Sequence, residues 1–214
     1  MIEENHIKVT KSARYITCGT LTQETKSIWF ILHGYGQLAK NFINKFEKMD
    51  NERTFIIAPE ALSRFYLNSG YGEIGASWMT KEDRENEIHD YVNYLDELYS
   101  TIIKSNDTLN CGICALGFSQ GVATLSRWAV LGKSKFNRLI FWAGEVDKDL
   151  DYSKFKDMSV SFIYGNKDHY FAGDSYKFQE SILNKFGVKY DTHIFDGGHE
   201  INIGILSNFI NSLG

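Results

Sequence analysis

Short, continuously apolar runs alternate along this chain with segments whose apolar residues recur every three or four positions. The runs are Ser27-Ile28-Trp29-Phe30-Ile31-Leu32, residues 54–58, 113–118, 138–142 and 160–164, and residues 190–195 complete the set. A strand covered on both faces has no polar side, so it reads as an unbroken apolar run rather than as alternation. Between the runs lie helical patterns. Leu38, Phe42, Ile43, Phe46 and Met49 share one face, and Val122, Leu125, Trp128 and Ala129 another. The clearest is Ile88, Tyr91, Val92, Leu95, Leu98, Ile102 and Ile103. Residues 174–186, with Phe178, Ile182 and Phe186 inward, and residues 201–213 supply two more. Strand and helix taking turns predict βαβ units, hence an α/β fold with a mostly parallel sheet and helices on both faces.

Residues 6–20 alternate weakly and predict an N-terminal strand or hairpin. Glu60 to Met79 reads as a long loop, with Gly70, Gly72 and Gly75 and the aromatics Phe65, Tyr66, Tyr71 and Trp78. Thr80 and Asp83 have the spacing of a capping box ahead of the long helix. Pro59 is the one proline, and no repeat or linker divides the 214 residues, so a single domain spanning 1–214 is expected, with no large lid.

The net charge of −4 argues against nucleic acid or an anionic membrane as partner, because both select a basic face. No apolar run reaches the ~18 residues of a membrane span. The start, Met1-Ile2-Glu3-Glu4-Asn5, lacks the apolar core of a secretory signal, and three cysteines do not make a disulfide framework. A reducing cytoplasm is the expected setting.

Ligands of parallel sheets bind beyond the carboxyl ends of the strands. There, after residues 113–118, stands Gly117-Phe118-Ser119-Gln120-Gly121, a G-x-S-x-G pentapeptide. A random chain of this composition would carry it roughly one time in eight, so context decides. Here it ends a strand and opens a helix, as a nucleophile elbow requires. A serine hydroxyl needs a base, and the base an orienting acid. His199, in Asp196-Gly197-Gly198-His199-Glu200 after the last strand, is the candidate base. His193 and His89 fall inside a strand and a helix, and His6 near the N-terminus. Asp168 follows the strand ending at Tyr164 and is the candidate acid, with Glu145, Asp147 and Asp196 as rivals. The oxyanion donors expected are the Gln120 N–H and the Tyr35 N–H, the latter from His33-Gly34-Tyr35-Gly36 after the first buried strand. His33 is expected to buttress that loop.

Together these segments resemble the phospholipase/carboxylesterase family of α/β-hydrolases, which includes the acyl-protein thioesterases. The resemblance runs over roughly residues 27–205 in the family's order, and Gly-Phe-Ser-Gln-Gly is its most specific part. It implies an α/β-hydrolase fold with Ser119 as nucleophile, Asp168 as acid and His199 as base, and with Tyr35 and Gln120 as oxyanion donors. The segments facing substrate depart from the family. Gln37 stands where an Asp is usual and Val122 where a second Gly follows the elbow. Trp78-Met79-Thr80 replaces Trp-Phe-Asp, and His169-Tyr170-Phe171 replaces a segment rich in Val and Pro. The resemblance therefore carries the reaction class, an ester or thioester hydrolase, and not the substrate.

Trp78, Tyr71, Tyr170 and Phe171 leave strand carboxyl ends and are candidate walls of a substrate pocket favouring an apolar or aromatic group. Cys111-Gly112-Ile113-Cys114 leads into a strand rather than opening a helix, so a structural role is expected and not redox chemistry. The histidines and acids show no tight ligand spacing such as H-E-x-x-H, so no metal and no cofactor are expected. The reading is a serine hydrolase acting on a small-molecule ester or thioester. Its alternatives are a non-catalytic α/β-hydrolase-fold protein that binds a small ligand, and an acyltransferase.

Overall fold

The structure is a computed structural model. It describes residues 1–49, 53–68, 70–104, 111–171 and 175–211.

Seven strands form the main sheet among the described residues: β1 (Tyr15–Cys18), β2 (Ser27–Leu32), β3 (Thr54–Pro59), β6 (Gly112–Phe118), β7 (Arg138–Trp142), β8 (Ser159–Gly165) and β9 (Asp191–Phe195). Between β3 and β6, β4 (Ser63–Tyr66) and β5 (Ile74–Ser77) make a separate antiparallel ribbon. The sheet order is β1-β3-β2-β6-β7-β8-β9. β1 is antiparallel to β3, and every other neighbouring pair is parallel. The helices are α1 (Ala39–Phe42), continued by a 3₁₀ segment Ile43–Met49, then α2 (Arg84–Lys104), α3 (Gln120–Leu131), α4 (Ser175–Asn184) and α5 (Ile203–Asn211).

The unbroken apolar runs have a direct cause in the two cores. Ile28, Phe30 and Leu32 of β2 face the layer built by α2 and α3, with Tyr91, Leu95, Leu125 and Trp128. Trp29 and Ile31 face the opposite layer, with Phe42, Phe46, Leu206 and Phe209 from α1, the 3₁₀ segment and α5. Successive side chains point to opposite faces, and both faces are dry, so consecutive positions from Ile28 to Leu32 are apolar. No described helix is long and apolar enough to cross a membrane.

Four local expectations are corrected. The N-terminal strand is confined to Tyr15–Cys18, and residues 1–14 have no regular structure. The segment 60–79 is not all loop, since Phe65 and Arg64 alternate across β4 and pair with Gly75 and Ala76 of β5. The Thr80–Asp83 box does not form: α2 begins at Arg84, Asp83 sits at φ +49°, and the Thr80 N–H reaches the Glu87 carboxylate instead. In α4, Phe178 points outward at 56% exposure, and the neighbouring Gln179 turns inward to accept the Val146 N–H at 3.0 Å.

Candidate active site

The chain leaves β2 for β3 on one side, then returns through α2 to β6 on the other side of β2. The carboxyl ends of β2 and β6 therefore border the crevice where the winding direction reverses, the usual ligand position in such sheets. Leu32 is in register with Gly117, so the turn after β2 and the serine after β6 emerge side by side.

Ser119 occupies φ +54°, ψ −118°, a strained backbone for a residue with a side chain. The strain is enforced by close backbone approach. A methyl group on Gly117 would strike the Gly121 carbonyl oxygen, and one on Gly121 the Leu32 carbonyl oxygen. Gly144, after β7, admits no side chain either, because it abuts the Ser119 carbonyl and the Val122 side chain. The Ser119 N–H donates to the Trp142 carbonyl at 3.0 Å, locking the elbow to β7.

Two neighbouring strands bring up the partners. Gly165 is in register with Phe195, so the turns after β8 and β9 start level with each other. They are stitched together by Asn166 N–H to Phe195 O at 2.9 Å and Lys167 N–H to Gly197 O at 2.8 Å. His199 Nδ1 lies 2.7 Å from Asp168 Oδ2, and His199 Nε2 lies 2.8 Å from Ser119 Oγ. With the carboxylate accepting, Nδ1 carries the proton and Nε2 is left to accept from the serine hydroxyl. The Asp168 side chain is fully buried, and its other oxygen accepts the Tyr170 N–H at 2.9 Å. The loop carrying His199 is anchored by Trp142 Nε1–H donating to the Glu200 carbonyl at 2.9 Å.

The rival acids are engaged elsewhere. Asp147 accepts from Arg127 Nε at 2.6 Å and from Arg84 at 3.0 Å. Burial pushes its carboxyl up, but the Asp149 N–H and the two guanidiniums outweigh this and hold it below its ordinary value. Asp196 is exposed and pairs with Lys167 at 2.7 Å. Glu145 is exposed.

Gly34 through Gln37 form a turn closed by the Gln37 N–H on the Gly34 carbonyl at 3.2 Å, with Gly36 at φ +73°. Glycine at the third position of such a turn avoids the left-handed penalty. Gly36 N–H donates to Ala76 O, and Ala76 N–H to Gln37 O, so β5 holds the turn in place. Neither the Tyr35 N–H nor the Gln120 N–H has a hydrogen-bond acceptor among the described residues. The turn lies against the nucleophile, since a Cβ on Gly34 would sit 3.1 Å from Ser119 Cβ. His33 is fully buried. Its Nε2 accepts the Ala61 N–H at 3.1 Å, so Nδ1 is the protonated nitrogen and donates to Gly34 O at 2.8 Å. Burial lowers its pKa, against the Gly34 carbonyl and the Glu60 charge, which raise it. Glu60, also buried, accepts from Arg14, Arg64 and the Ala39 N–H, tying β1 and the ribbon to the start of α1.

The candidate walls separate. Tyr170 is exposed beside the site, its ring centroid 4.7 Å from that of His199. Phe171 ends the same short turn, His169–Phe171, and its side chain lies outside the described residues. Tyr71 is fully exposed at the turn of the ribbon, against Tyr66. The expectation for Trp78 is corrected: it is 2% exposed, packs on Tyr91 and His33, and donates Nε1–H to the His33 carbonyl at 2.9 Å. A substrate has no access to it.

Sequence reasoning missed the Gln120 side chain. Its Oε1 accepts the Trp78 N–H at 3.1 Å, and its Nε2 donates to Ser77 Oγ at 3.1 Å and Met79 O at 2.9 Å. No spacing rule links residues some forty positions apart. Cys111 and Cys114 are both free thiols, and burial pushes Cys114 up to about 11. Among the described residues, Glu4, His6 and Asp83 bring three metal-ligating atoms within 4.8 Å of one another, but the group is exposed and accounted for by its own ion pairs.

Residues 16–213 match the model of the family described as Phospholipase/Carboxylesterase. Solved structures similar to the chain include esterase PE8, at 18% identity and TM-score 0.69, covering 95% of this chain and 100% of that one. Zea mays acyl-protein thioesterase 2 aligns at 15% identity and TM-score 0.71, covering 94% and 98%. The Bacillus cereus carboxylesterase aligns at 14% identity and TM-score 0.71, covering 94% and 92%. No curated protein sequence is significantly similar to the chain.

Proposed function

Because the chain belongs to the phospholipase/carboxylesterase family of α/β-hydrolases, we propose that it is a serine hydrolase cleaving carboxylic esters or thioesters through an acyl-serine intermediate. The reading rests on one observation above all: a continuous hydrogen-bonded line from Ser119 Oγ through His199 to a fully buried carboxylate.

Ser119 Oγ attacks the acyl carbon as His199 Nε2 takes its proton. The carbonyl oxygen becomes an oxyanion, which the N–H groups of Tyr35 and Gln120 receive. Such donors are fixed before the reaction, so no reorganisation is needed as the charge develops. His199 then gives its proton to the departing alkoxide or thiolate, leaving the acyl-serine. A water enters, loses a proton to the same nitrogen and attacks the acyl carbon. Collapse expels Ser119, the proton returns to Oγ, and the carboxylic acid leaves. Asp168 stays ionised, holding the imidazole in the tautomer that accepts from serine and stabilising the imidazolium.

The test is labelling with a fluorophosphonate probe alongside turnover of a short p-nitrophenyl ester. The protein is expected to be labelled and to release nitrophenol, and Ser119→Ala to do neither. Turnover that persists in Ser119→Ala would overturn the proposal, and a folded protein inert to both probes would favour the ligand-binding alternative.

A further inference from the structure

A cavity of about 500 Å³ opens on the far side of the turn that carries the candidate oxyanion donor. Gly36 and Gln37 form its near wall. Gln37 belongs to both places: it lines the cavity, and its Oε1 accepts the Gly34 N–H at 2.8 Å, where Gly34 abuts Ser119. The Gly34–Gln37 turn is therefore common to the cavity and to the surroundings of Ser119. The volume is within the ordinary range for a small-ligand site.

Its lining has two characters. Leu38, Phe42, Leu67 and Ile74 supply apolar wall. Lys40 and Lys45, on α1 and its 3₁₀ continuation, also line it, as does Asn41. Neither lysine makes an ion pair among the described residues. Against them stands one carboxylate, Glu73. The cavity is thus locally positive in a chain whose net charge is −4. A neutral aliphatic limb would use the apolar wall and leave both ammonium groups without a partner.

Resting on the hydrolase reading, we infer that this cavity receives the far end of the substrate and that this end is anionic. The substrate class is an ester or thioester with one limb a short carbon chain ending in a carboxylate or similar oxyanion. The chain packs on Leu38, Phe42 and Leu67, and the terminal oxygens take hydrogen bonds from Lys40 and Lys45. Charge-assisted pairs of this kind commonly make a difference of about tenfold or more in binding.

The test compares matched esters. For the acyl limb, p-nitrophenyl monoadipate and monosuberate are set against p-nitrophenyl hexanoate and octanoate. For the alcohol limb, 6-acetoxyhexanoate is set against hexyl acetate. In one of the two limbs the anionic ester is expected to have at least about tenfold higher kcat/KM than its neutral partner at low salt. That ratio should fall towards one in Lys40→Gln/Lys45→Gln and as ionic strength rises, because partly exposed charges are screened. Circular dichroism and Tm report that the double variant is folded. Parity in both limbs would overturn the inference, and so would a preference that survives loss of both lysines. Calorimetric titration of adipate into Ser119→Ala separates the two claims: adipate should bind and should lose affinity when both lysines are replaced. Binding without any Ser119-dependent turnover sinks the hydrolase reading alone, and turnover without binding sinks the cavity assignment alone.

Discussion

The carboxamide of Gln120 accepts the backbone N–H of Trp78 at 3.1 Å and also reaches Ser77 and Met79, so the residue after the candidate nucleophile grips the strand end leaving the ribbon. The same ribbon strand holds the turn that carries Tyr35, through Ala76. The two halves of the proposed oxyanion site are therefore joined by a side chain as well as by the sheet. Gln120→Met keeps the backbone N–H and the length of the side chain but leaves the Trp78 N–H without its acceptor, while Ser77 Oγ still donates to the Met79 carbonyl. A loss of about 2 kcal/mol in stability is expected, from the usual cost of such unpaired groups. Urea denaturation measures it, and an unchanged midpoint would show that the grip contributes nothing.

The two buried aspartates predict opposite phenotypes. Asp168→Asn is expected to retain the fold and to lower turnover of a p-nitrophenyl ester, by up to about 10⁴-fold if it follows the serine-protease precedent. Asp147→Asn leaves the Arg127 guanidinium, itself mostly buried, without its carboxylate. Breaking such a pair costs about 3 kcal/mol or more, so its effect should appear as a lower Tm. Kinetics and thermal melts on both variants check the pairing, and an Asp147→Asn enzyme that is stable but inactive would reverse it.

The elbow predicts a steric limit. In Gly121→Ala the added methyl is driven into the Leu32 carbonyl oxygen, a backbone atom that cannot swing aside. Overpacking costs about 1–3 kcal/mol where side chains give way, and more is expected where the obstacle is backbone. The readout is the yield of folded protein and its Tm. A variant with the parent's stability would mean that the turn relaxes freely.

His33 sets a pH dependence. Its pKa is lowered from an ordinary value of 6.5 by burial, and the proton it would gain has no acceptor at Nε2, which already takes the Ala61 N–H. Below about pH 6.5 the unfolded chain binds a proton at this histidine that the folded chain resists. Stability from this residue is therefore complete above 6.5 and declines as pH falls from there towards the lowered folded value. Denaturation midpoints between pH 7.5 and 5 should slope downward in the parent and less steeply in His33→Gln, and parallel slopes would exclude the effect.

The alternation of the parallel main-sheet strands with helices and the elbow were legible in the chain, as was the order in which Ser119, Asp168 and His199 follow one another. A strand covered on both faces must be apolar at consecutive positions, and a tight elbow must have small residues on either side of its serine, so both constraints are written locally. The neighbours' roles were not. Whether Asp168 or Asp147 meets His199 depends on which strands lie side by side, and β8 and β9 do while Asp147 is drawn down to Arg127 on α3. Trp78 sat in an aromatic loop by sequence, yet its burial was decided by α2 and the His33 carbonyl, contributed from elsewhere in the chain. The ribbon, the Gln120 grip and the lysine-lined cavity likewise exist only once distant segments pack together. Residue type and spacing encode what each segment needs locally, and contact between segments is set by the packing of the whole.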